Sequence, residues 1–285
     1  MSPTNTTSTT PPAPIAASAI TGDTTPDLRP LARYMGKDGW RLALQHSRTD
    51  HLLIRFIRAG GHTILNGTRH ALSANAALFV PAGTLFSLSP GPQSMGQVLR
   101  IPPGADILVP TTPHLLRLPQ VQEQAALTRL IDAMSAEEET NAAFHGAAAR
   151  AHATLLAIWL RRTLLEHAPS AAPRPDQRLA AAFAPLVAAR YLANPTVAQL
   201  AQELGITATH LSRACKSASG LSAAQMLAEC SLHAARTLLS DSDHPINHIA
   251  SHLGFGSPAY FSRFIQRHTG HSPRDLRRTA HARRP

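Results

Sequence analysis

The chain has 285 residues, which corresponds to about two domains of ordinary size. Hydrophobic residues make up 44% of the chain, the mean hydropathy is −0.10, and no apolar run approaches the roughly 18 residues of a membrane span, so an integral membrane protein is excluded. The formal net charge of +10 and the pI of about 11.0 indicate an anionic partner, with nucleic acid favoured over a membrane surface.

The N-terminal segment lacks the features of a secretory signal. No Lys or Arg precedes Arg29, and residues 1–20 contain no apolar stretch of the required kind. The two cysteines, Cys215 and Cys230, are too few for a disulfide scaffold and fit a reducing compartment. These features predict a cytoplasmic protein.

Residues 1–28 are mostly Thr, Pro, Ala and Ser. Such a composition buries too little apolar surface to offset the entropy of ordering, so it predicts a disordered tail. An inert tail is favoured over a regulatory arm.

Residues 31–117 carry the pattern of short β-strands. Apolar residues dominate from Leu52 to Ile57. Two further short strands flank Asn66-Gly67, a dipeptide that favours a two-residue hairpin turn because both turn positions need positive φ. Many short strands with frequent Pro and Gly between them predict a small β-barrel or sandwich.

Residues 120–135 and 145–167 predict two helices, since Gln, Ala, Leu and Glu dominate and no Pro follows Pro119 in this region. The second helix carries apolar residues at helical spacing: Leu155, Leu156, Trp159, Leu160 and Leu164. Packing against the β region and a helical contact in a dimer are both compatible with this stripe.

Residues 168–175 contain three prolines, which block a helix and favour an extended linker. Residues 176–285 predict an all-α domain with twelve Arg and Lys against six Asp and Glu. The domain boundary is therefore placed at the linker, and the basic excess is denser beyond it.

The C-terminal part contains a repeat of about 50 residues, the scale of one supersecondary unit. The two copies are Leu200-Ala201-x3-Gly205-x5-Leu211-x-Arg213-x6-Gly220 and Ile249-Ala250-x3-Gly254-x6-Phe261-x-Arg263-x6-Gly270. Each part suits a helix-turn-helix, in which two helices pack steeply across a tight turn. The small Ala allows close approach of the helices, the first Gly ends one helix in the left-handed conformation, and the Arg lies on the face away from the core.

Local signals mark the helix ends. Thr196 with Gln199 forms a capping box, and Ser257 followed by Pro258 is typical of an N-cap and a first helical position. Between the copies, residues 222–240 predict a helix about 28 Å long. Such a helix would place two recognition helices in successive major grooves, roughly 34 Å apart on one face of DNA.

Residues 178–278 resemble the DNA-binding domain of AraC/XylS-type transcription regulators. The stretch from Ile246 to Arg277, INHIASHLGFGSPAYFSRFIQRHTGHSPRDLR, matches the signature of that family in order and spacing. The order of β region, helices and DNA-binding domain is also usual in the family. Residues 29–167 resemble, with weaker motif support, its cupin-like sensor and dimerisation domain.

The resemblance implies DNA contacts from both recognition helices. The corresponding residues are Thr209, Ser212, Arg213 and Lys216 in the first helix, and Ala259, Tyr260, Arg263 and Arg267 in the second. The last residue of each set would contact phosphate and the others would face bases, where an Arg pairs with guanine for about 1–3 kcal/mol of discrimination. A half-buried structural role explains Tyr260 equally well.

Two positions depart from the family pattern. Cys215 stands where a large aromatic residue is usual, which predicts a looser core in the first repeat. Gln266 stands where a basic residue is more usual, which weakens one phosphate contact.

Catalysis in the β region is the alternative function. Cupin enzymes hold a metal with a His-x-His pair, a Glu and a later His. Here His62 is followed two residues later by Ile64, the first Glu is Glu123, and Phe86 stands at the later His position. A metal site is therefore poorly supplied, and no metal, cofactor or catalytic residue is predicted. One run of histidines at helical spacing favours a solvated face over a metal site: His244, His248 and His252.

A metal-free pocket for a small organic effector is the favoured role of the β region. The residues predicted to line it are Trp40, Arg55, His62, His70 and Phe86. Arg55 lies in an otherwise apolar strand, where it either reaches solvent, which is favoured, or binds an anionic ligand.

Together the sequence predicts an α+β protein with a disordered tail (1–28), a sensor and dimerisation domain with a small cupin-like β-barrel and a helical end (29–167), a linker (168–175) and an all-α double helix-turn-helix domain (176–285). Its predicted function is that of a non-enzymatic transcription regulator. The predicted partners are double-stranded DNA, a small-molecule effector and a second copy in a homodimer, with RNA polymerase a further candidate. A nonspecific architectural DNA-binding protein is the remaining alternative, and the paired recognition helices argue against it.

Overall fold

The computed structural model describes residues 24–36, 38–140, 142–167 and 172–282 of the chain. These residues form an α+β structure, as the sequence predicts, in two compact units whose boundary lies between Ala234 and Ala235. The first unit holds the β-strands and the helices up to that boundary, and the second is helical. Within the described ranges, no helix combines the length and the apolar character that crossing a bilayer requires.

Eight strands come early in the described part of the chain. They are β1 (Asp27–Pro30), β2 (His51–Arg58), β3 (Gly61–Leu65), β4 (Thr68–Ala71), β5 (Ala76–Val80), β6 (Phe86–Pro90), β7 (Met95–Ile101) and β8 (His114–Arg117). They form a five-stranded antiparallel sheet in the order β1-β7-β2-β5-β8 and a three-stranded antiparallel sheet in the order β4-β3-β6. Two short helices, α1 (Leu31–Met35) and α2 (Trp40–Ala43), precede β2.

The hairpin between β3 and β4 confirms the turn predicted at Asn66-Gly67. Both residues have positive φ, 42° and 73°, which Asn and Gly tolerate better than other residues do. The turn pairs Leu65 with Thr68. A Cβ on Gly67 would lie 2.9 Å from the Cβ of Ala180, so the close approach of this hairpin to a helix also requires Gly.

The predicted barrel is wrong in its closure, because the two sheets remain separate and share one apolar core as a sandwich. That core contains Leu52, Ile54, Phe56, Leu65, Leu78, Phe86, Leu88 and Val98. A closed barrel needs hydrogen-bonded strands around its whole circumference. Among the described residues, β1 and β8 form the two edges of the large sheet, and β4 and β6 form those of the small one.

Two long helices cover the other face of the large sheet and confirm the two predicted helices. They are α3 (Val121–Thr140), which extends past its predicted end, and α4 (His145–Glu166). Both contribute to a second apolar core together with the alternate residues of the sheet, among them Leu53, Phe79 and Leu99. Trp159 packs against this core, whereas Leu155 is 48% exposed, so the apolar stripe of α4 is only partly used in packing.

The predicted tail and linker fall partly outside the described residues, at 1–23 and 168–171. Asp27 and Leu28, predicted as tail, instead pair with β7, because the side chain of Leu28 is buried in the core beneath α3 and α4. Pro175, predicted as linker, is the first residue of a helix, a position that suits its fixed φ and missing N–H.

The remaining helices are α5 (Pro175–Arg190), a 3-10 turn (Tyr191–Ala193), α6 (Val197–Glu203), α7 (Ala208–Ser219), α8 (Ala223–Asp241), α9 (Ile246–His252), α10 (Pro258–Thr269) and α11 (Pro273–His281). The bounds of α8 confirm the helix predicted at 222–240. Helices α5 to α7 and the first part of α8 share an apolar core that also includes Leu85 of the β region. The boundary of the compact units lies inside α8, and the domain boundary at 168–175 stays a prediction.

Candidate nucleic-acid interface

The first helix-turn-helix consists of α6 and α7. The Oγ1 of Thr196 accepts a hydrogen bond from the N–H of Gln199 at 3.2 Å, and the Gln199 Oε1 accepts one from the N–H of Thr196 at 2.8 Å, which confirms the predicted capping box. Gly205, with φ 68°, makes the turn between the helices. Thr207 caps α7, and Gly220, with φ 85°, ends it.

The second helix-turn-helix consists of α9 and α10 and lies in the second compact unit. The Oγ of Ser257 accepts a hydrogen bond from the N–H of Tyr260 at 3.1 Å, and Pro258 occupies the first helical position, as predicted. Gly254 turns the chain with φ 71°, and Gly270 ends α10 with φ 75°. The sequence repeat is therefore a repeat of structure, with glycine at the same two positions in both copies.

Each recognition helix has one buried face and one face open to a ligand. The side chains on the buried faces include Leu211, Cys215, Phe261 and Ile265. Of the residues predicted to meet DNA, Ser212 is half-buried, and the exposed ones are Thr209, Arg213, Lys216, Ala259, Tyr260, Arg263 and Arg267. His210 is exposed on the first turn of α7 beside Thr209, and the sequence-based prediction omitted it.

The open faces of both recognition helices carry cations. Among the described residues, no ion pair engages Arg213, Lys216, Arg263 or Arg267. Other arginines of the same helical region are paired, since Arg190 contacts Glu203 and Arg278 lies 2.7 Å from Asp275. Unpaired cations on an exposed helix face are suited to phosphate contacts and to hydrogen bonds with base edges.

Tyr260 is packed on one side and exposed on the other. Its ring lies 5.7 Å from that of Phe255, which also contacts Phe261 and Phe264 at 5.2 and 5.1 Å between ring centroids. The residue is nevertheless 51% exposed. It therefore supports a small aromatic cluster and also presents surface beside Arg263.

A groove next to α10 adds two cations that the sequence-based prediction missed. The groove has a volume of about 520 Å³, and its lining includes Gln266, Arg274 and Arg277. Arg277 donates a hydrogen bond from Nη2 to the carbonyl oxygen of His244 at 2.5 Å. The Ser-Pro start of α11, which places Arg274 in the first turn, is the sequence signal that could have identified them.

The two cysteines are structural. Cys215 and Cys230 are buried and unpaired by a disulfide. Burial raises the pKa of Cys215 to about 11, and burial together with the charge of Glu229 raises the pKa of Cys230 to about 12. Both shifts favour the protonated thiol at neutral pH, which suits side chains that pack in a core. Cys215, at the position usually occupied by an aromatic residue, lies within the apolar core of the first repeat.

The histidine run lies at and before α9. The rings of His244 and His248 are 5.9 Å apart between centroids. In the parts of the chain that the structure describes, no group of three or more His, Cys, Asp or Glu side chains is placed to hold a metal ion.

The five residues predicted to line an effector pocket do not converge on one cavity. Phe86 is fully buried in the core of the sandwich, and Trp40 packs edge-on against His233 of α8 at 5.6 Å. His62 pairs with Ala71, and His70 pairs with Thr63, the residue next to His62. Because successive residues of a strand point to opposite faces, His62 and His70 face opposite sides of the small sheet. Burial is the main cause that lowers the pKa of each. Arg55 lies elsewhere, on the face of the large sheet that α3 covers.

A polar junction between the β region and α8 was also missed. The rings of His46 and His233 stack, the N–H of Gln45 donates to Oε2 of Glu229 at 3.2 Å, and a ring nitrogen of His233 lies 3.0 Å from the carbonyl oxygen of Arg41. Glu229 and His233 are one helical turn apart on a helix that is otherwise apolar on its packed side. That spacing is the signal that could have marked the junction.

A family model of helix-turn-helix domains matches residues 200–279. The chain is 36% identical over 78 residues to the HTH-type transcriptional activator RhaS of Salmonella arizonae, and equally to RhaS of Salmonella newport. These matches cover 27% of this chain and 28% of each activator, so the chain matches less than a third of the length of these curated relatives.

Two solved structures are also similar. The C-terminal domain of AraT, a response regulator from Geobacillus stearothermophilus, has 27% identity and a TM-score of 0.34, covering 37% of this chain and 86% of that chain. ToxT from Vibrio cholerae, bound to an unsaturated fatty acid, has 11% identity and a TM-score of 0.40, covering 90% of this chain and 95% of that chain. At such low TM-scores neither superposition supports a statement about the arrangement of this chain.

Proposed function

We propose that the chain is a sequence-specific DNA-binding transcription regulator of the AraC/XylS type, because a helix-turn-helix family model matches residues 200–279 and an HTH-type transcriptional activator is 36% identical over 78 residues. The observation that carries this proposal is the pair of open recognition faces on α7 and α10, whose cations have no ion-pair partner among the described residues. Bulk charge would suffice for nonspecific binding, whereas capped helices with defined exposed faces can present side chains to base edges.

The proposed roles follow the chemistry of the exposed side chains. Arg213 and Arg263 read bases, because a guanidinium can donate two parallel hydrogen bonds to guanine. Lys216 and Arg267, one turn further along each helix, contact phosphate, which fixes the position of the helix in the groove. Thr209, Ser212, Ala259 and Tyr260 complete the surfaces that face the bases.

Control by a small organic effector in the β region is part of the proposal. The support is that the β region and the first helix-turn-helix lie in one compact unit and share buried contacts, including Leu85 and the junction at His46 and His233. An effector can change DNA affinity only if it binds two arrangements of this unit with different affinity. The packed contacts at this junction could transmit a change in the β region to α7 and α8.

A homodimer is the proposed assembly. One face of α4 carries three exposed apolar residues. Leu155 is 48% exposed, Ile158 37% and Leu165 86%. Apolar residues that recur on one exposed helix face are typical of a helix–helix contact. We also propose RNA polymerase as a partner at promoters and the cytoplasm as the site of action, and we propose no enzymatic activity.

Selection from random DNA duplexes tests this function. The purified full chain is incubated with a random pool at fixed moderate salt, and the bound duplexes are sequenced over several rounds. We expect an enriched motif with two half-elements about one helical turn apart. Binding that is retained at low salt without an enriched motif would instead favour the architectural alternative or a regulator that needs its effector before it binds specifically.

A further inference from the structure

Arg55 is held in place by α3 but is not neutralised by it. One of its terminal nitrogens, Nη2, donates a hydrogen bond to Oγ1 of Thr128 at 2.7 Å, and that hydroxyl in turn donates to the carbonyl oxygen of Gln124 at 2.6 Å. A guanidinium has five N–H donors, so this contact leaves most of its hydrogen-bonding capacity unused. Among the described residues no carboxylate lies at ion-pair distance, although Asp132 is near enough to influence the charge.

The half-buried side chain of Arg55 lines a groove between the end of the large sheet and α3. This groove, called here the Arg55 groove, has a volume of about 250 Å³ and is lined by Arg55, Phe56, Asn75, Ala76, Leu118, Val121, Gln124, Ala125, Leu127 and Thr128. The α3 residues Val121, Gln124, Ala125 and Thr128 recur at helical spacing, so they form one continuous wall. The groove thus combines one cation, a few amide and hydroxyl groups, and an apolar remainder.

We propose that the Arg55 groove binds a small organic carboxylate. The assignment of this groove as the effector site rests on the proposed function, but carboxylate binding in the groove does not depend on that function. Phe56 and Ala76 line the groove and also belong to the sandwich core, whose interior is filled by buried side chains such as Phe86.

The composition of the groove selects this ligand class. A carboxylate fits a guanidinium fork with two parallel hydrogen bonds, which are shorter and stronger than those to an uncharged acceptor. Leu118, Val121 and Ala125 offer apolar contact to an organic body, which a bare inorganic anion could not use. The volume lies below the usual range for drug-sized ligands, about 300–1,000 Å³, and therefore favours a small molecule.

The partial burial of Arg55 strengthens its attraction for an anionic ligand. Desolvation lowers the pKa of Arg55 while Asp132 opposes that change, and a guanidinium remains charged at neutral pH. An anion bound here stabilises the guanidinium charge in place of the water that burial has removed. The attraction between the two charges is also screened less than at an open surface. The arginine is thus prepared for an anionic partner that the protein itself does not supply among its described residues.

Isothermal titration of the full chain tests the proposal with three carboxylates, benzoate, cyclohexanecarboxylate and hexanoate, each compared with its primary amide and with sulfate. We expect at least one carboxylate to bind with one-to-one stoichiometry. Its amide and sulfate should bind at least tenfold more weakly, because the amide lacks the charge and sulfate lacks the organic body. In Arg55→Gln the affinity should fall roughly ten- to hundredfold.

Two variants keep the test decisive. Arg58→Gln removes an exposed cation near the end of the same strand and should bind like the wild type. Ala125→Trp fills the groove and keeps Arg55, so it should also weaken binding even if Arg55→Gln folds poorly. The proposal is overturned if no carboxylate in the set binds, if amide or sulfate binds equally well, or if both groove variants bind normally. If the wild type binds a carboxylate but does not bind DNA, the proposed function is wrong and the proposal for the Arg55 groove stands.

Discussion

The imidazole rings of His46 and His233 lie face to face, with centroids 4.3 Å apart and planes 8° from parallel. His46 follows α2 in the β region, and His233 lies on α8, the helix that follows the first recognition helix. Both residues belong to one compact unit. The stack therefore joins the part of the chain proposed to sense an effector to the part proposed to bind DNA.

The surroundings of this stack favour the neutral form of His46. Burial, followed by the charge of His233 and then of Arg48, lowers the pKa of His46 well below its ordinary value, and the carbonyl of Leu44 opposes the change only in part. The folded state therefore holds His46 without its extra proton, while the unfolded chain binds that proton below about pH 6.5. Folding thus becomes less favourable as the pH falls below about 6.5, and the full contribution of the neutral ring is present above it.

His46→Phe should reduce this pH dependence. Phe keeps a ring between Phe86 and His233 but cannot be protonated, so the fall in the free energy of unfolding between pH 7 and 5 should become shallower by up to about 1.4 kcal/mol per pH unit. Urea denaturation at several pH values measures this. Equal slopes in wild type and His46→Phe would contradict the role of the buried ring.

Gly67 should be less tolerant of substitution than Gly83, although the two have nearly the same φ, +73° and +77°. Ala at either position costs about 1–2 kcal/mol for the left-handed backbone. A Cβ at Gly67 would also lie 2.9 Å from both the Cβ and the carbonyl oxygen of Ala180, whereas a Cβ at Gly83 meets nothing within 4 Å. Gly67→Ala should therefore lose about 1–3 kcal/mol more stability than Gly83→Ala in urea denaturation. Equal losses would show that the hairpin tip does not pack on α5 as closely as observed.

Arg213→Ala and Arg263→Ala should each weaken binding to the selected DNA motif by about 1–3 kcal/mol and leave binding to random DNA nearly unchanged. Both side chains are exposed, so the far-ultraviolet circular dichroism should stay that of the wild type. Fluorescence anisotropy with matched specific and random duplexes measures the two affinities.

Lys216→Ala is the contrasting variant. It should weaken binding to the specific and the random duplex alike. It should also reduce the magnitude of the slope of log K against log salt by about 1, which corresponds to one lost phosphate contact. If the arginine variants also lost affinity for random DNA equally, their assignment to base readout would be wrong.

Leu155→Glu with Leu165→Glu should dissociate the proposed homodimer without unfolding the protein, because both side chains are already largely exposed. A charge there is readily solvated in the monomer and costly to bury in a helix–helix contact. Sedimentation velocity should show a dimer for the wild type and a monomer for the double variant. Leu108→Glu, at a position 70% exposed outside α4, should remain dimeric. A wild type that sediments as a monomer would contradict the proposed assembly.

The sequence determined the features that depend on neighbours along the chain. The hairpin at Asn66-Gly67, the capping box at Thr196 and Gln199, and the N-cap at Ser257 each involve residues at most three positions apart, so their chemistry is visible in the sequence. The two helix-turn-helix copies are built from such local signals. For the same reason the sequence identified both recognition helices and their buried and open faces.

Only the tertiary structure decided which distant residues meet. The sequence indicated short strands in residues 31–117 but not all eight of those observed, and the closure of a sheet depends on long-range pairing, which here leaves two sheets separate. It also grouped Arg55 with His62, His70, Trp40 and Phe86, whereas packing places Arg55 beside Thr128, which lies 73 positions along the chain. The stack of His46 on His233 was equally hidden. Such contacts arise when helices and sheets bury their apolar faces together, and no spacing within one short segment encodes that choice.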